Sequence, residues 1–279
     1  MKKVGFIDYY LDEWHANKYP AWIKEKSGGE FEVCYAYAEI EKEGKRSNRQ
    51  WAEENGIELL NSIEELIKKS DCIVVLAPDD PRMHYELSKD ALATGKPVFI
   101  DKTFSLTLED GAKMLSLAEQ HHSPCFSTSA LRFSEALQKT DKSGICEIVS
   151  VGVAIGAENY LIHQLEPIAV LMGMEVEKVH YQGDGENCRW DLVYRDGRTA
   201  AIHFMKGWST YALQIKRAGV KGATLLEIND FFWDGLMDSM LAMFRTGEIA
   251  VPHSETLSII RVLEGCLAAQ GKAGEWILL

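Results

Sequence analysis

Residues 71–101 of this chain read DCIVVLAPDDPRMHYELSKDALATGKPVFID. Short apolar runs stand at both ends of the stretch, DCIVVLA at 71–77 and PVFID at 97–101. Each run is continuous instead of alternating in hydrophobicity, which is typical of strands that are buried on both faces of a parallel sheet. The stretch therefore predicts two parallel strands with a crossover connection between them.

The same pattern extends along the first half of the chain. Three further apolar runs predict strands of the same sheet: 4–8 (VGFID), 31–38 (FEVCYAYA) and 125–127. Helices begin between the runs, because Ser62 and Glu65 form a capping box and Thr107 precedes an amphipathic segment. This alternation predicts right-handed βαβ units, so we expect residues 1–125 to form a Rossmann-like, doubly wound α/β domain with a parallel sheet.

From about residue 145 the pattern changes, because strand-like runs follow one another closely. These runs are 145–153, 176–182, 188–194, 199–205, 211–217 and 223–228, with helical patterns near 160–172, 230–245 and 254–270. Asp196-Gly197 between two of the runs is a strong hairpin signal. We therefore expect residues 126–279 to form an α+β domain on a largely antiparallel, open sheet. An uncovered sheet face of this kind predicts a homodimer or a higher homo-oligomer.

Charge and composition limit the classes of partner. The chain has 30 basic and 42 acidic residues, and its net charge of −12 argues against nucleic acid and anionic membranes as partners. The longest nearly unbroken apolar stretch, 148–157, is about half of a membrane-spanning helix, and the N-terminus lacks the apolar core of a signal peptide. The six cysteines form no CxxC pair. We expect a cytoplasmic protein with reduced thiols and no metal site.

The loop after the first strand is unusual. A dinucleotide-binding fold normally carries G-x-G-x-x-G there, so that the backbone and a helix N-terminus can approach the diphosphate. In this chain Asp8, Tyr10 and Glu13 stand at the three glycine positions. Two carboxylates and a phenol are poor neighbours for a diphosphate, so this loop by itself argues against a dinucleotide. The segment 12–15 predicts a helix cap, with contact between His15 and a substrate as the alternative.

Two other positions carry candidate chemistry. Asp101 and Lys102 follow the fourth run, where a lysine can hold a substrate hydroxyl and share its proton; the alternative is a solvated loop lysine. Asn159, His163 and Glu166 can share one face of a helix. A histidine that titrates near neutrality suits proton transfer there, and the alternative is a structural histidine between the domains.

The end of the second strand is the expected place for the adenosine ribose of a dinucleotide. Glu39 is the acidic residue nearest that end and can accept a hydrogen bond from a ribose hydroxyl. Lys42, Lys45 and Arg46 follow it. They can hold a 2′-phosphate, or they belong to a solvated charged loop.

Taken together, these segments resemble the Gfo/Idh/MocA family of NAD(P)-dependent oxidoreductases. DCIVVLAP at 71–78 followed by His84 resembles the family's strand and (Ser/Thr)-Pro…His segment. GKPVFIDKT at 95–103 resembles its G-K-x-V-x-x-E-K-P motif, and ALRF at 130–133 is similar to the Arg-Phe that follows the next strand.

The likeness continues in the second domain, where Asn159, His163 and Glu166 resemble the family's D-x-x-x-H-x-x-D helix. Three features depart from the family pattern. The glycine fingerprint is absent, Asp-Lys-Thr at 101–103 replaces Glu-Lys-Pro, and Asn159 replaces an aspartate.

The resemblance implies that Lys102 is the catalytic lysine and His163 the catalytic acid/base, with NAD or NADP as cofactor. The residues that it assigns to the substrate are Lys102, Arg132, Asn159 and His163. Those that we assign to the cofactor are Asp8, Tyr10, Glu39, Ala77, Pro78, Asp79, His84 and Asp101.

The function that these assignments imply is hydride transfer between a nicotinamide and the hydroxyl or carbonyl carbon of a small sugar- or polyol-like substrate. The alternative is a non-catalytic or regulatory relative that keeps the fold and has lost dinucleotide binding.

Overall fold

The computed structural model describes residues 1–279, which fold into two compact units. The first unit contains Met1–Ser105, Glu109–Ser127 and Leu236–His253. The second contains Leu106–Leu108, Thr128–Gly235 and Ser254–Leu279. Each unit is therefore built from separate stretches of the chain, and residues 236–253 belong to the first unit.

Six parallel strands form the sheet of the first unit. They are β1 (Lys2–Asp8), β2 (Phe31–Ala38), β3 (Glu58–Leu59), β4 (Cys72–Val75), β5 (Val98–Ile100) and β6 (Cys125–Phe126). Their order is β3-β2-β1-β4-β5-β6. This is the doubly wound arrangement that was predicted, and the order reverses between β1 and β4, where such folds bind ligands beyond the carboxyl ends of the strands.

Burial on both faces explains why the apolar runs are continuous. The side chains of Val4, Phe6 and Ile7 in β1 are fully buried, as is the whole of β4 apart from a trace of Cys72. Gly5 lies against the helix layer, and a Cβ atom there would be 2.3 Å from Ser70 Oγ. Glycine at this position therefore allows β1 and the neighbouring helix to approach closely.

Five helices accompany this sheet: α1 (Trp14–Lys26), α2 (Asn48–Asn55), α3 (Ile63–Lys69), α4 (His84–Leu92) and α5 (Leu108–Gln120). Ser62 caps the start of α3 as predicted, because the backbone N–H of Glu65 donates to Ser62 Oγ at 3.1 Å. The segment 12–15 also caps a helix as predicted, with Glu13 as the N-cap of α1.

Seven strands form the mixed, largely antiparallel sheet of the second unit. They are β7 (Ile145–Val153), β8 (Val176–Gly183), β9 (Cys188–Tyr194), β10 (Thr199–Met205), β11 (Tyr211–Arg217), β12 (Thr224–Ile228) and β13 (Trp276–Leu278). Their order is β12-β11-β7-β10-β9-β8-β13, and only β7 and β10 pair in parallel. The predicted hairpin is confirmed, because β9 and β10 pair with Val193 opposite Thr199, and Gly197 in the turn has φ of 86°.

The remaining helices are α6 (Glu135–Gln138), α7 (Ala157–Tyr160), α8 (Ile162–Met172), α9 (Trp233–Thr246) and α10 (His253–Gln270). The helix predicted over 160–172 corresponds to α8, and the short α7 precedes it; Leu161 between them keeps a right-handed helical backbone, with φ of −61° and ψ of −35°. Along α8, Leu165 and Ile168 are fully buried, and Gln164 accepts a hydrogen bond from Ser150 Oγ of β7 at 2.6 Å. None of the helices combines the length and apolar character needed to cross a membrane.

Candidate functional site

In the first unit, a buried carboxylate joins the ends of the two central strands. Asp8 is the last residue of β1 and is fully buried. Its Oδ1 accepts hydrogen bonds from the backbone N–H of Tyr9 at 2.6 Å and of Ala77 at 2.9 Å, just beyond β4. Its Oδ2 has no hydrogen-bond partner. Burial, together with the nearby charge of Glu13, raises the pKa of Asp8 well above its usual range.

The N-terminus of α1 lies in this region, and its N–H groups are already in use. The Glu13 carboxylate accepts from the backbone N–H of His15 at 2.6 Å and from that of Ala16. The ring Nδ1 of His15 lies 3.2 Å from the same carboxylate. Glu13 is buried, so these contacts are shielded from water.

The histidine of this loop also faces the end of β5. His15 Nδ1 lies 3.6 Å from Asp101 Oδ2. Lys102 follows Asp101 and has only 9% of its surface exposed; the peptide bond between Lys102 and Thr103 is cis. Lysine is among the residue types that proteins rarely bury, so the burial of Lys102 favours a chemical role over a solvated loop position.

A hydrogen bond connects the loops that follow β1 and β4. The hydroxyl of Tyr10 donates to the Asp79 carboxylate, and burial, followed by this bond, raises the pKa of Tyr10. Ala77 has φ of 72° although it is not glycine. A non-glycine residue in this left-handed region stores local strain, which is common at functional sites.

The remaining predicted cofactor residues of the β4 loop are enclosed by protein. Pro78 is buried. The ring of His84 is fully buried and places Nε2 2.6 Å from the carbonyl oxygen of Leu76 and Nδ1 3.1 Å from that of Phe104. Burial lowers the pKa of His84. The histidine thus holds two loop segments together, and its contact with a cofactor stays a prediction.

At the end of β2, the candidate ribose and phosphate residues have protein partners. Glu39 accepts a hydrogen bond from the hydroxyl of Tyr37 at 2.8 Å. The guanidinium of Arg46 contacts Asp12 at 2.7 Å and Glu54 at 2.6 Å. The bond from Arg46 lowers the pKa of Asp12 to about 2, so this acid–base pair is charged at neutral pH.

These contacts test whether a dinucleotide fits. Its diphosphate would need the N–H groups at the start of α1, and in this arrangement they are bonded to the Glu13 carboxylate. The buried Asp8 and the bond between Tyr10 and Asp79 add carboxylates to the same end of the sheet. The residues present therefore do not fit a diphosphate in the usual position.

In the second unit, His163 of α8 is the candidate acid/base. Its Nδ1 lies 2.7 Å from Ser129 Oγ, and its ring packs between those of Tyr160 and Tyr211, with centroids 5.4 and 5.7 Å away. Ser129 Oγ also accepts the backbone N–H of Leu131 at 3.3 Å. His163 is half-buried, so this contact sets the direction of its ring without enclosing it.

The predicted substrate residue Arg132 lies in a buried charge network. Its guanidinium contacts Glu166 and Glu255, each at 2.6 Å, and its Nε donates to Thr128 Oγ1 at 3.1 Å. Burial raises the pKa of Glu166, although the charge of Arg132 acts in the opposite direction. Contact of Arg132 with a substrate stays a prediction.

Asn159 lies in α7, in the turn before the helix that carries His163 and Glu166. Ser129 contacts both His163 and Glu166. Its hydroxyl lies 2.7 Å from His163 Nδ1, and its backbone N–H lies 3.4 Å from Glu166 Oε1. Sequence analysis missed Ser129 and Glu255. The run Ser-Thr-Ser at 127–129, directly after a predicted strand, was the available signal for the first.

Part of the chain matches the model of a known family. Residues 14–129 match the model of the Gfo/Idh/MocA family, described as an oxidoreductase family with an NAD-binding Rossmann fold. The predicted resemblance is confirmed over that part of the chain. An uncharacterised oxidoreductase of Synechocystis sp. is 31% identical over 78 residues, which are 28% of this chain and 21% of that protein.

Solved structures resemble the whole chain. A probable dehydrogenase from Thermotoga maritima has a TM-score of 0.78 at 16% identity, covering 99% of this chain and 98% of that one. A putative myo-inositol dehydrogenase from Sinorhizobium meliloti has a TM-score of 0.75 at 14% identity, and the match covers 100% of this chain and 99% of that one. The third structure is an oxidoreductase from Agrobacterium radiobacter in complex with NAD+, L-tartaric acid and magnesium. Its TM-score is 0.76 at 13% identity, and the match covers 99% of this chain and 98% of that one. At these identities the likeness shows the fold.

Proposed function

We propose that this protein is an oxidoreductase that acts on a CH–OH group of a small sugar- or polyol-like molecule. The observation that carries the proposal is the buried Lys102 beside Asp101, at the end of β5, within the segment that matches the oxidoreductase family. In the proposed roles, Lys102 holds the substrate oxygen through its ammonium group, and His163 takes the hydroxyl proton. Asn159 and Arg132 are the further proposed substrate residues.

The geometry around His163 supports its role as a base. A neutral imidazole can take a proton at Nε2 only if Nδ1 carries the ring hydrogen. Ser129 Oγ lies 2.7 Å from Nδ1 and can accept that hydrogen. The hydroxyl can also donate to a bare Nδ1, so the contact fixes the direction of the ring and is compatible with Nε2 as the proton acceptor.

Oxidation of a CH–OH group requires an acceptor for two electrons. The family description makes a nicotinamide dinucleotide, NAD or NADP, the proposed acceptor, and such a cofactor would supply the hydride chemistry. Asp8, Glu39 and the β4 loop with Ala77, Pro78 and Asp79 are the proposed cofactor neighbours.

A second candidate is a family relative that has kept the fold without dinucleotide binding, and the capping of α1 by Glu13 favours it. Calorimetric titration of the full chain with NADH and NADPH separates the two. Binding, followed by nicotinamide reduction in a screen of polyols and sugar derivatives, supports the oxidoreductase. Absence of binding of either nucleotide at millimolar concentration contradicts it and supports the second candidate.

A further inference from the structure

The start of α1 is held by an unusual residue. Helix N-caps are normally Ser, Thr, Asp or Asn, whose short side chains reach the first N–H groups. Glu13 takes this position with extended backbone, φ of −124° and ψ of 171°, and its longer side chain folds back onto the N–H groups of His15 and Ala16. The cap is buried, whereas most caps are solvated.

We infer that Glu13 is a built-in anion that excludes a diphosphate from the N-terminus of α1. Exposed helix N–H groups and the positive end of the helix dipole attract anions at such a site. Here a carboxylate of the chain satisfies the same groups, so a diphosphate would have to displace it and would meet its negative charge. The inference rests on the proposed function only in taking a dinucleotide as the ligand to test.

A neighbouring residue holds this carboxylate in place. The backbone N–H of His15 donates to Glu13 Oε2, and the ring Nδ1 of His15 lies 3.2 Å from the same oxygen. The ring also lies 3.6 Å from Asp101, so it bridges two carboxylates. If the Glu13 carboxylate moved away, it would lose its contacts with the backbone N–H groups of His15 and Ala16 and with the His15 ring. An exposed glutamate would lose no such contacts on turning into solvent.

The test is a change of one residue that keeps the helix start. Serine is a preferred N-cap and is uncharged, so Glu13→Ser should fold while it removes the carboxylate. Glu25→Gln is the matched control, because Glu25 is exposed at the other end of the same helix and the charge change is identical. Both variants and the wild-type chain are titrated calorimetrically with ADP, adenosine and NADH.

We expect Glu13→Ser to bind ADP and NADH at least about tenfold more tightly than the wild type, with no gain for adenosine, which lacks the diphosphate. Glu25→Gln should behave as the wild type. Equal ADP affinity of Glu13→Ser and wild type overturns the inference, and so does an equal gain for adenosine or for Glu25→Gln. A circular dichroism spectrum of each variant confirms that the helix content is unchanged.

Failure of the inference and failure of the proposed function give different results. A wild type that turns over a polyol while Glu13→Ser gains no affinity overturns the inference and leaves the proposed function standing. A wild type that neither binds nor reduces a nicotinamide, together with a gain in Glu13→Ser, supports the inference and contradicts the proposed function.

Discussion

Ser129 Oγ lies 2.7 Å from His163 Nδ1, and 34 residues of sequence separate the two. Two further hydrogen bonds hold Ser129. Its backbone N–H donates to Glu166 Oε1 at 3.4 Å, and its Oγ accepts from the backbone N–H of Leu131. The proposed base thus has a fixed neighbour that orients its ring. In this account Ser129 is a positioning residue that acts through His163.

Replacement of Ser129 by alanine tests that role. We expect kcat to fall about ten- to a hundredfold with little change in KM, because the ring loses the partner that orients it. The pH profile of kcat should shift as well, and Ser129→Thr should recover part of the activity. Ser150→Ala is the matched control, since Ser150 makes an equally short bond to Gln164 of the same helix. If both alanine variants behave alike, Ser129 is only structural.

The network around Arg132 predicts a stability effect. Arg132→Ala leaves the buried carboxylate of Glu166 unpaired, so the free energy of unfolding should fall by about 3–5 kcal/mol. Arg245→Ala is the control, because its ion pair with Glu30 is exposed and should contribute less than about 1 kcal/mol. Denaturant unfolding of both variants measures the difference. A loss for Arg132→Ala no larger than that of the control argues against a buried network.

Asp8 makes stability depend on pH. Its pKa is raised in the folded state, so the folded chain binds this proton more tightly than the unfolded chain. The stabilisation is complete below the unfolded value of 3.8 and is lost as the pH rises through the folded value. Asp8→Asn cannot ionise, so its Tm should rise relative to the wild type between about pH 4 and neutrality.

Thermal unfolding at several pH values checks this prediction. Near neutral pH, Asp8→Asn should be more stable than the wild type, because it removes a buried charge. Asp90→Asn, at an exposed position, is the control and should leave the pH dependence unchanged. A Tm difference between Asp8→Asn and wild type that is constant with pH would contradict the assignment.

The sheet of the second unit is the proposed interface for a second copy of the chain. Val149 lies beside Ala201, and Val151 beside His203, by strand pairing, and all four are half-buried. We expect light scattering to give about twice the 31.4 kDa of one chain. Val151→Lys should give monomers, whereas Val220→Lys, at an exposed turn position, should not. A wild-type mass of 31.4 kDa at micromolar concentration contradicts the proposal.

Much of the fold could be predicted from the sequence because burial leaves a pattern in it. Strands β2, β7, β9, β10 and β11 have the bounds that were predicted, because apolar residues recur through each of them. The two-residue β3 was missed because it is too short to show a period. The division between α7 and α8 was also missed, because Leu161 is a good helix former and its backbone stays in the right-handed helical region.

The site was less predictable than the fold. The sequence identified Lys102 and His163 through motifs. The Ser-Thr-Ser run could indicate only a polar loop, because the contact of Ser129 with His163 depends on tertiary structure. The sequence showed that Asp8, Tyr10 and Glu13 replace the three glycines of the dinucleotide motif, and the two carboxylates predicted repulsion of a diphosphate. That Glu13 occupies the helix N–H groups could be learned only from its side-chain conformation.

The central claim is that Lys102 takes part in oxidation of a CH–OH group, and its most direct test is the turnover of Lys102→Ala. Nicotinamide reduction is followed by absorbance with a polyol or sugar derivative that the wild type oxidises. We expect kcat to fall by about 10²–10⁴-fold, as when a positioned proton-transfer group is removed, while NADH affinity stays unchanged. Lys113→Ala, at an exposed helix position, should retain wild-type turnover. Full activity of Lys102→Ala would contradict the account.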